Sequence, residues 1–177
     1  MRSRSLAVAV ALLCAALVAA GCGFGPGSGV GEVSLTVTRD YGAESLQPPV
    51  AETAFESDTV MRVLDRNADI STRFGGGFVQ AIDGLEAERD SGRSSDWFFY
   101  VNGVESTVGA AEYPLRGGEA IWWDYRDWTD AMRVPAVVGS WPQPFVSGYD
   151  GETRPVAVEC LGGGAACGAV RAALGAA

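Results

Sequence analysis

The feature that most constrains the fold is an aromatic run that turns back on itself at an Asn-Gly pair. Residues Trp97–Val101 read Trp-Phe-Phe-Tyr-Val, Asn102-Gly103 follows, and the chain returns through Val104–Val108. Asn-Gly is favoured in two-residue hairpin turns because both residues tolerate positive φ. Successive side chains of a strand lie on opposite faces, so this β-hairpin carries aromatic residues on both. The pattern predicts a hairpin that is covered on both sides, or one that offers an aromatic face to a ligand.

Other segments predict further strands and two loops. The predicted strands are Val33–Arg39, Phe78–Ile82 and Glu119–Tyr125. Apolar and polar residues alternate within the first, and turn residues lie next to the other two. Asp40–Ala54 is polar and contains Pro48-Pro49, which exclude a regular helix. Leu85–Ser95 is charged and contains Gly92 and three serines. Both of these segments are predicted to be irregular, the second as an exposed loop.

One helix is predicted before the C-terminal end, over Thr59–Ala68. Its apolar residues fall on one helical face, and Ser57 or Asp58 precedes them as a capping residue. Strand, helix and then several strands is an order typical of a small α+β domain. We expect this domain to span residues 33–128.

The first residues predict an export signal. The apolar run Leu6–Ala20 has 15 residues, fewer than the ~20 that span a bilayer, and it fits the core of a signal peptide. It ends in Ala19-Ala20-Gly21-Cys22, which resembles a bacterial lipobox. We predict a signal peptide over 1–21, a lipidated Cys22 and a flexible tether over 22–32. The alternative is an ordinary signal peptide in which Cys22 stays unmodified.

These features predict a protein that is exported and held by its lipid at the outer face of the cytoplasmic membrane. Once residues 1–21 are removed, 11 arginines remain against 22 acidic residues. That surplus of negative charge keeps the exported body soluble and away from anionic lipid headgroups.

Composition excludes several functions. The chain has 13 basic residues, all of them arginine, and no histidine. A histidine triad, a Schiff-base lysine and a P-loop lysine are therefore excluded for this chain alone. Nucleic acid is an unsuitable partner, since phosphate binding needs a positive face. Arginine without lysine is typical of high-GC genomes, which predicts a bacterial, and within bacteria an actinobacterial, source.

The C-terminal residues 129–177 form a proline-rich segment followed by a tail with two cysteines. Cys14 lies in the predicted signal peptide and Cys22 is the predicted anchor, which leaves Cys160 and Cys167. An even pair in an oxidising compartment predicts a disulfide. This region either packs on the main sheet or begins a second domain that the chain does not complete.

The tryptophans and their neighbours are the candidate ligand-binding residues. In a strand, Trp122 and Trp123 face opposite sides, so one is predicted to be core and the other exposed or covered by the C-terminal segment. The candidate set is Trp97, Phe99, Tyr100, Asn102, Trp122, Trp123, Asp124 and Trp128. Aromatic surfaces suit flat, largely apolar ligands, sugars or the apolar side chains of a partner protein. The alternative is that these residues form the core on one side of the hairpin and are covered by the C-terminal tail on the other side.

Catalytic and metal sites are not predicted. Asp124, Asp127 and Asp130 are spaced three apart, which matches no EF-hand loop. A salt bridge of Arg126 within a solvated turn explains the run. Asp124 and Asp127 as the carboxylate pair of a hydrolase is a further alternative. We expect a protein that is not an enzyme and needs no cofactor.

Four motifs, in this order and spacing, resemble a known family. They are Asp58-Thr59-Val60, the Gly77–Gly84 segment, the Asp96–Gly103 segment and the Gly109–Pro114 segment. The region is similar to the transcobalamin-like C-terminal domain family, DUF4430. The resemblance covers residues 33–128 and implies a β-grasp-like ligand-binding fold.

The resemblance also implies candidate ligands. In vitamin carriers of this kind the β-domain closes over cobalamin that is held against a separate helical barrel. No segment here corresponds to that barrel, and no histidine can coordinate cobalt. The expected function is a binding module for a corrinoid or similar small ligand. The alternative is a scaffold or adhesion lipoprotein that binds a surface or transporter protein.

Overall fold

The computed structural model describes residues 25–137, 139–162 and 164–175. The predicted signal peptide and the predicted lipidation of Cys22 lie outside these residues. Within the described chain, no helix is long and apolar enough to cross a membrane.

The described residues form ten strands and two α-helices, an α+β structure built mostly of β-sheet. In chain order the elements are β1 (Gly29–Arg39), β2 (Glu44–Ser45), β3 (Val50–Phe55), α1 (Val60–Asn67), β4 (Ile70–Arg73), β5 (Phe78–Ile82), β6 (Leu85–Glu86), β7 (Glu88–Asp90), β8 (Arg93–Val101), β9 (Val104–Glu105), β10 (Ala120–Asp127) and α2 (Ala165–Ala173). A short 3-10 turn, Phe74–Gly76, joins β4 to β5. The predicted α+β class is confirmed at this level.

The larger sheet is mixed, with a parallel pair at its centre. β1 and β10 are parallel, which aligns Leu35 with Ile121 and Val37 with Trp123. β3 pairs with β1, and β8 pairs with β10, both antiparallel. The short strand β2 also pairs with β1, while β7 and β9 pair with the outer edge of β8. A second, antiparallel sheet has the order β4-β5-β6.

One hydrophobic core joins the inner face of the larger sheet to α1 and β5. Its buried members include Val33, Leu35 and Val37 of β1, Val60, Val63 and Leu64 of α1, Val79 and Ile82 of β5, and Trp97 and Trp123 of β8 and β10. A fully buried aliphatic side chain stabilises the fold by about 1.5–3 kcal/mol. This core therefore decides which face of β8 and β10 points inward.

The predicted hairpin is present. β8 turns into β9 at Asn102 and Gly103, which have φ of 51° and 78°, as the Asn-Gly signal predicts. The returning strand ends at Glu105 rather than at Val108. The reason is that backbone groups of the C-terminal segment take over as partners, because Glu105 N donates to Pro135 O at 3.0 Å.

Two segments predicted to be irregular contain strands. Asp40–Ala54 includes β2 and most of β3, and Leu85–Ser95 includes β6, β7 and the start of β8. Pro48-Pro49 lie just before β3 and do not interrupt it. β7 is exposed along its whole length, so backbone pairing with β8 forms it and no apolar alternation marks it in the sequence.

The helix cap also differs from the prediction. Thr59 is the N-cap of α1, and its Oγ1 accepts a hydrogen bond from Arg62 N at 3.3 Å. The Asp58 carboxylate is used otherwise, because it accepts from Phe55 N at 3.0 Å and from the Arg66 guanidinium. That ion pair lowers the pKa of Asp58, with burial acting the other way.

The C-terminal segment lies against the outer face of the hairpin. Val137 N donates to Gly103 O at 2.8 Å, and Ala136 forms a bridge to Val104. The predicted disulfide between Cys160 and Cys167 is present, with Cα atoms 6.1 Å apart. Further along this segment, Gly139, Ser140 and Trp141 lie beside Trp122 of β10, on the side of the sheet that faces away from the core.

Candidate functional site

Most of the predicted ligand-binding residues are buried. Trp97, Tyr100, Asn102, Trp122, Trp123 and Asp124 each have at most 8% of their surface exposed. Phe99 and Trp128 are half-buried. The eight residues therefore do not form one open surface, and the two tryptophans of β10 are covered on both sides of the sheet.

Trp122 and Asp124 belong to a structural network on the outer face. Trp122 Nε1 donates to Thr38 Oγ1 at 2.6 Å, and that hydroxyl donates to Asp124 Oδ1 at 2.6 Å. Asp124 Oδ2 accepts from Tyr41 N at 2.9 Å. A Cβ on Gly139 would lie 2.9 Å from the Trp122 ring. These residues hold the turn after β1 in place and form the surface that the C-terminal segment contacts.

Asn102 performs a similar structural task at the hairpin turn. Its Nδ2 donates to Gly148 O at 2.7 Å, and its Oδ1 accepts from Ala120 N at 2.8 Å. The side chain therefore joins the hairpin to β10 and to the C-terminal segment. This explains its complete burial without a ligand.

Arg126 completes what we call the tail-covered face, formed by Asn102, Trp122, Asp124 and Arg126. The Arg126 side chain is fully buried, with its guanidinium carbon 3.7 Å from the centroid of the Phe98 ring. It donates to Ala131 O and Met132 O, both at 3.0 Å. The predicted surface salt bridge of Arg126 is wrong, because the residue is a buried cation stacked on an aromatic ring.

A second aromatic region is open. Beside β8 lies a cleft of about 600 Å³, which we call the aromatic cleft. Its defining residues are the aromatics Phe74, Phe78, Phe98 and Trp128, with Arg73 and Arg89 at its border. Phe74 is 86% exposed, and its ring meets that of Phe78 edge-on with centroids 6.3 Å apart. Large aromatic side chains exposed together mark a binding surface more often than isolated ones do.

The strand pairing explains why this cleft exists. β7 pairs with β8 only as far as Ser95, and β9 begins to pair at Tyr100. Neither strand covers the outer edge of β8 from Asp96 to Phe99. At this gap the smaller sheet brings Phe78 close to the exposed side of Phe98.

An inner cavity of about 190 Å³ adjoins the aromatic cleft and shares Phe78, Trp97 and Phe98 with it. Phe99 and Trp123 also line it, with ring centroids 5.1 Å apart. The Trp123 Nε1–H is buried and has no acceptor among the described residues. Buried donors in proteins are nearly always partnered, which makes the indole N–H of this lining residue a notable exception.

The charged residues of the cleft differ in the contacts they make. Asp96 is the carboxylate that lines it, and it accepts from Trp97 N at 2.8 Å. Burial raises the pKa of Asp96, while that hydrogen bond and Arg89 act the other way. The Arg89 guanidinium lies 5.7 Å from the centroid of the Trp128 ring.

The carboxylates considered for hydrolysis are separated by the sheet. Asp124 and Asp127 are three residues apart in β10, so their side chains leave opposite faces. Asp127 accepts from Thr129 and from Arg93, and these bonds lower its pKa to about 2. In the described part of the chain, no three His, Cys, Asp or Glu residues lie close enough to hold a metal ion.

The sequence found part of the cleft. Trp128 lies in it, and Trp97, Phe99 and Trp123 line its inner cavity. It missed Arg73, Phe74, Phe78 and Arg89, which come from the smaller sheet, its 3-10 turn and the exposed edge strand β7. The available signal was two phenylalanines on either side of the Gly75–Gly77 run, where a turn leaves large apolar side chains outside the core.

Comparison with known proteins identifies the central segment. Residues 57–127 match the model of the family described as "Domain of unknown function (DUF4430)", which confirms the resemblance found in the sequence. No curated protein matches the chain.

Two solved structures are similar at low identity. One is a candidate metal-binding protein from Ruminococcus gnavus ATCC 29149, which is 18% identical over 54% of this chain and 95% of that one, with a TM-score of 0.39. The other is haptocorrin in complex with Cbi, which is 17% identical over 54% of this chain, with a TM-score of 0.42. The match spans 25% of the haptocorrin chain.

Proposed function

We propose that this chain, which carries a DUF4430 domain at residues 57–127, is an exported, lipid-anchored binding module without catalytic activity. We include in the proposal a β-grasp-like fold. The parallel pair β1–β10 at the centre of the mixed sheet and the helix that follows the β1–β3 hairpin support that assignment.

The observation that carries the proposal is the aromatic cleft with its inner cavity. The exposed rings of Phe74 and Phe78 border it, and Trp123, whose buried indole N–H has no protein acceptor among the described residues, is one of the residues that line the cavity. Apolar walls with a few directed polar groups are typical of small-molecule sites. A flat ligand on the rings, with an oxygen directed inward, would satisfy both features.

A corrinoid is the ligand that the family resemblance favours. Its methyl-bearing rim suits contact with apolar aromatic side chains, and its amide substituents carry carbonyl oxygens that could accept from Trp123. The chain has no histidine, so the proposed contacts are apolar and hydrogen-bonded and do not include imidazole coordination of cobalt.

A scaffold or adhesion role is the second candidate, with a surface or transporter protein as partner. The exposed side chains of Phe74 and Met132 at the cleft favour it. In that case apolar side chains of the partner would fill the same cleft. A carboxylate hydrolase is not favoured, because Asp124 is buried and engaged in hydrogen bonds.

The anchor at Cys22 and the location at the outer face of the cytoplasmic membrane are part of the proposal. The Cys160–Cys167 disulfide supports an oxidising compartment. Expression of the full chain should give a membrane-bound product whose N-terminal peptide carries diacylglycerol by mass spectrometry. A product cut elsewhere and free of lipid would contradict the anchor.

Ligand binding is tested by titrating the tryptophan fluorescence of the purified mature chain with cobinamide and cobalamin, corrected for corrin absorption. We expect saturable quenching, lost in a Phe74→Ser, Phe78→Ser double variant. Phe145→Ser is the matched control, since Phe145 is a half-exposed phenylalanine of the C-terminal segment. No saturable quenching would remove corrinoids, and equal loss in the control would contradict binding in the cleft.

A further inference from the structure

The side chains of two arginines of the aromatic cleft form no salt bridge and no hydrogen bond within the described structure. Among the arginines that the structure describes, only Arg73, Arg89 and Arg154 form neither a salt bridge nor a hydrogen bond with another described residue. Two of these three line the aromatic cleft. Acidic residues outnumber arginines in the whole chain, so two unpaired cations in one cleft are a specific arrangement.

Strand alternation keeps the neighbouring acids away from this cleft. Arg89 lies in β7 between Glu88 and Asp90, whose side chains line a different groove beside Arg93. The cleft is lined by two guanidinium groups, those of Arg73 and Arg89, and by one carboxylate, that of Asp96. Neither guanidinium forms a salt bridge with that carboxylate. The local charge is therefore positive on a protein whose net charge is −9.

The aromatic side chains fix where an anion would sit relative to a flat ligand. Arg89 lies over the Trp128 ring, and Arg73 directly precedes the exposed ring of Phe74. A planar ligand on these rings would bring its edge to the guanidinium groups. Guanidinium groups form charge-assisted, often bidentate hydrogen bonds to carboxylate, sulfonate and phosphate oxygens.

From this arrangement we propose that the aromatic cleft takes a flat aromatic ligand that carries an anionic group, and that Arg73 and Arg89 bind this group. The inference rests on the proposed binding function but names a ligand class other than corrinoids, since cobinamide carries no anionic group for the two arginines to bind. The rings supply affinity for any flat ligand, and the two arginines select the anionic ones. A neutral analogue loses the charge-assisted bonds and keeps the stacking.

The experiment uses a matched pair of probes on the purified mature chain. Pyrene-1-sulfonate and its neutral analogue pyrene-1-sulfonamide have the same flat ring and differ in charge. We expect the chain to bind the sulfonate about tenfold more tightly, measured by probe fluorescence at low salt. An Arg73→Gln, Arg89→Gln double variant should lose this preference and keep its affinity for the sulfonamide.

Arg154→Gln is the matched control, since Arg154 is also unpaired among the described residues but lies in a separate cleft of the C-terminal segment. It removes one charge and should leave the preference unchanged. Equal binding of the two probes by the wild type overturns the proposed anion selectivity and leaves the binding function standing. An equal loss in Arg154→Gln would reduce the effect to net charge, which also overturns it. If neither probe binds and corrinoids do not quench, the binding function fails as well.

Discussion

Strands β8 and β10 contribute aromatic residues to two regions. These regions differ in the hydrogen-bond partners of their polar side chains. On the tail-covered face, Asp124 accepts hydrogen bonds from Thr38 and from the turn after β1, and Arg126 donates to two backbone carbonyls. In the aromatic cleft, Arg73 and Arg89 have no such partners among the described residues. The first region is closed by the C-terminal segment and the second is open.

Structural aromatic residues and binding ones differ in their burial and in the partners of nearby polar groups. Both regions contain an arginine over an aromatic ring, Arg126 on Phe98 and Arg89 on Trp128. Ring contacts alone do not distinguish them. Burial and the hydrogen bonds of the guanidinium do. Arg126 is fully buried and donates to two carbonyls, although its Nε has no partner among the described residues, whereas Arg89 is exposed. Substitutions in the two regions should therefore change different quantities.

The largest expected effect is on the tail-covered face. Arg126→Ala removes a fully buried side chain, its contact with Phe98 and both carbonyl hydrogen bonds. We expect the free energy of unfolding to fall by about 3 kcal/mol, measured by urea denaturation. Arg93→Ala is the control: its exposed ion pair with Asp127 is worth at most about 1 kcal/mol. Similar losses in both would mean that the buried Arg126 side chain contributes no more to stability than an exposed ion pair.

The second effect concerns the hairpin turn. Asn102→Ala removes two hydrogen bonds and places alanine at a φ of 51°. We expect a loss of about 2 kcal/mol and faster proteolysis of the C-terminal segment, which Asn102 holds through Gly148. Asn67→Ala, which removes one hydrogen bond to Val63 O, should cost less than about 1 kcal/mol and leave proteolysis unchanged. If Asn102→Ala were cleaved at the wild-type rate, the side chain of Asn102 would not hold the C-terminal segment in place.

In the aromatic cleft, substitutions should change ligand affinity more than the free energy of unfolding. Trp128→Ala should change the free energy of unfolding by less than about 1 kcal/mol, because Trp128 lies outside the core. The same variant should weaken binding of pyrene-1-sulfonate about tenfold. Trp141→Ala replaces a half-exposed tryptophan of the C-terminal segment and should leave affinity unchanged. Full affinity in Trp128→Ala would exclude this ring from the site.

The smallest effect is a pH dependence. Burial raises the pKa of Asp96, so this carboxylate gains a proton earlier than an exposed one as the pH falls. The cleft then becomes more positive, and pyrene-1-sulfonate, ionised throughout, should bind about threefold more tightly at pH 4 than at pH 7. Asp96→Asn should show a smaller change between these pH values, and the remaining change belongs to the other carboxylates, among them Glu119, whose pKa burial also raises. Unchanged pH dependence in Asp96→Asn would assign the effect to other groups.

The same shift gives a signed prediction for stability. Because the folded state raises the pKa of Asp96, its favourable contribution is present below the pKa of the unfolded chain, ~3.9. It is lost as the pH rises through the folded pKa. Between these limits wild-type stability should fall relative to Asp96→Asn, as urea titrations at several pH values can measure.

Sequence reasoning recovered the elements that depend on local signals. The Asn102-Gly103 turn and the strand Phe78–Ile82 were correct because positive φ and turn residues mark them. It missed β3 and β7, which depend on backbone pairing with distant strands rather than on apolar alternation. It also assigned a ligand role to Trp122, whose cover lies in the C-terminal segment around Gly139.

The hairpin, the helix, the α+β class and the family resemblance follow from local signals, because turn chemistry and apolar periodicity act over a few residues. The acidic charge and the absence of lysine and histidine are likewise properties of the sequence. Which aromatic side chains are closed off depends on the tertiary fold. Arg73 and Trp128 are far apart in sequence and meet because separate strands end at the same gap beside β8. No local pattern encodes that meeting.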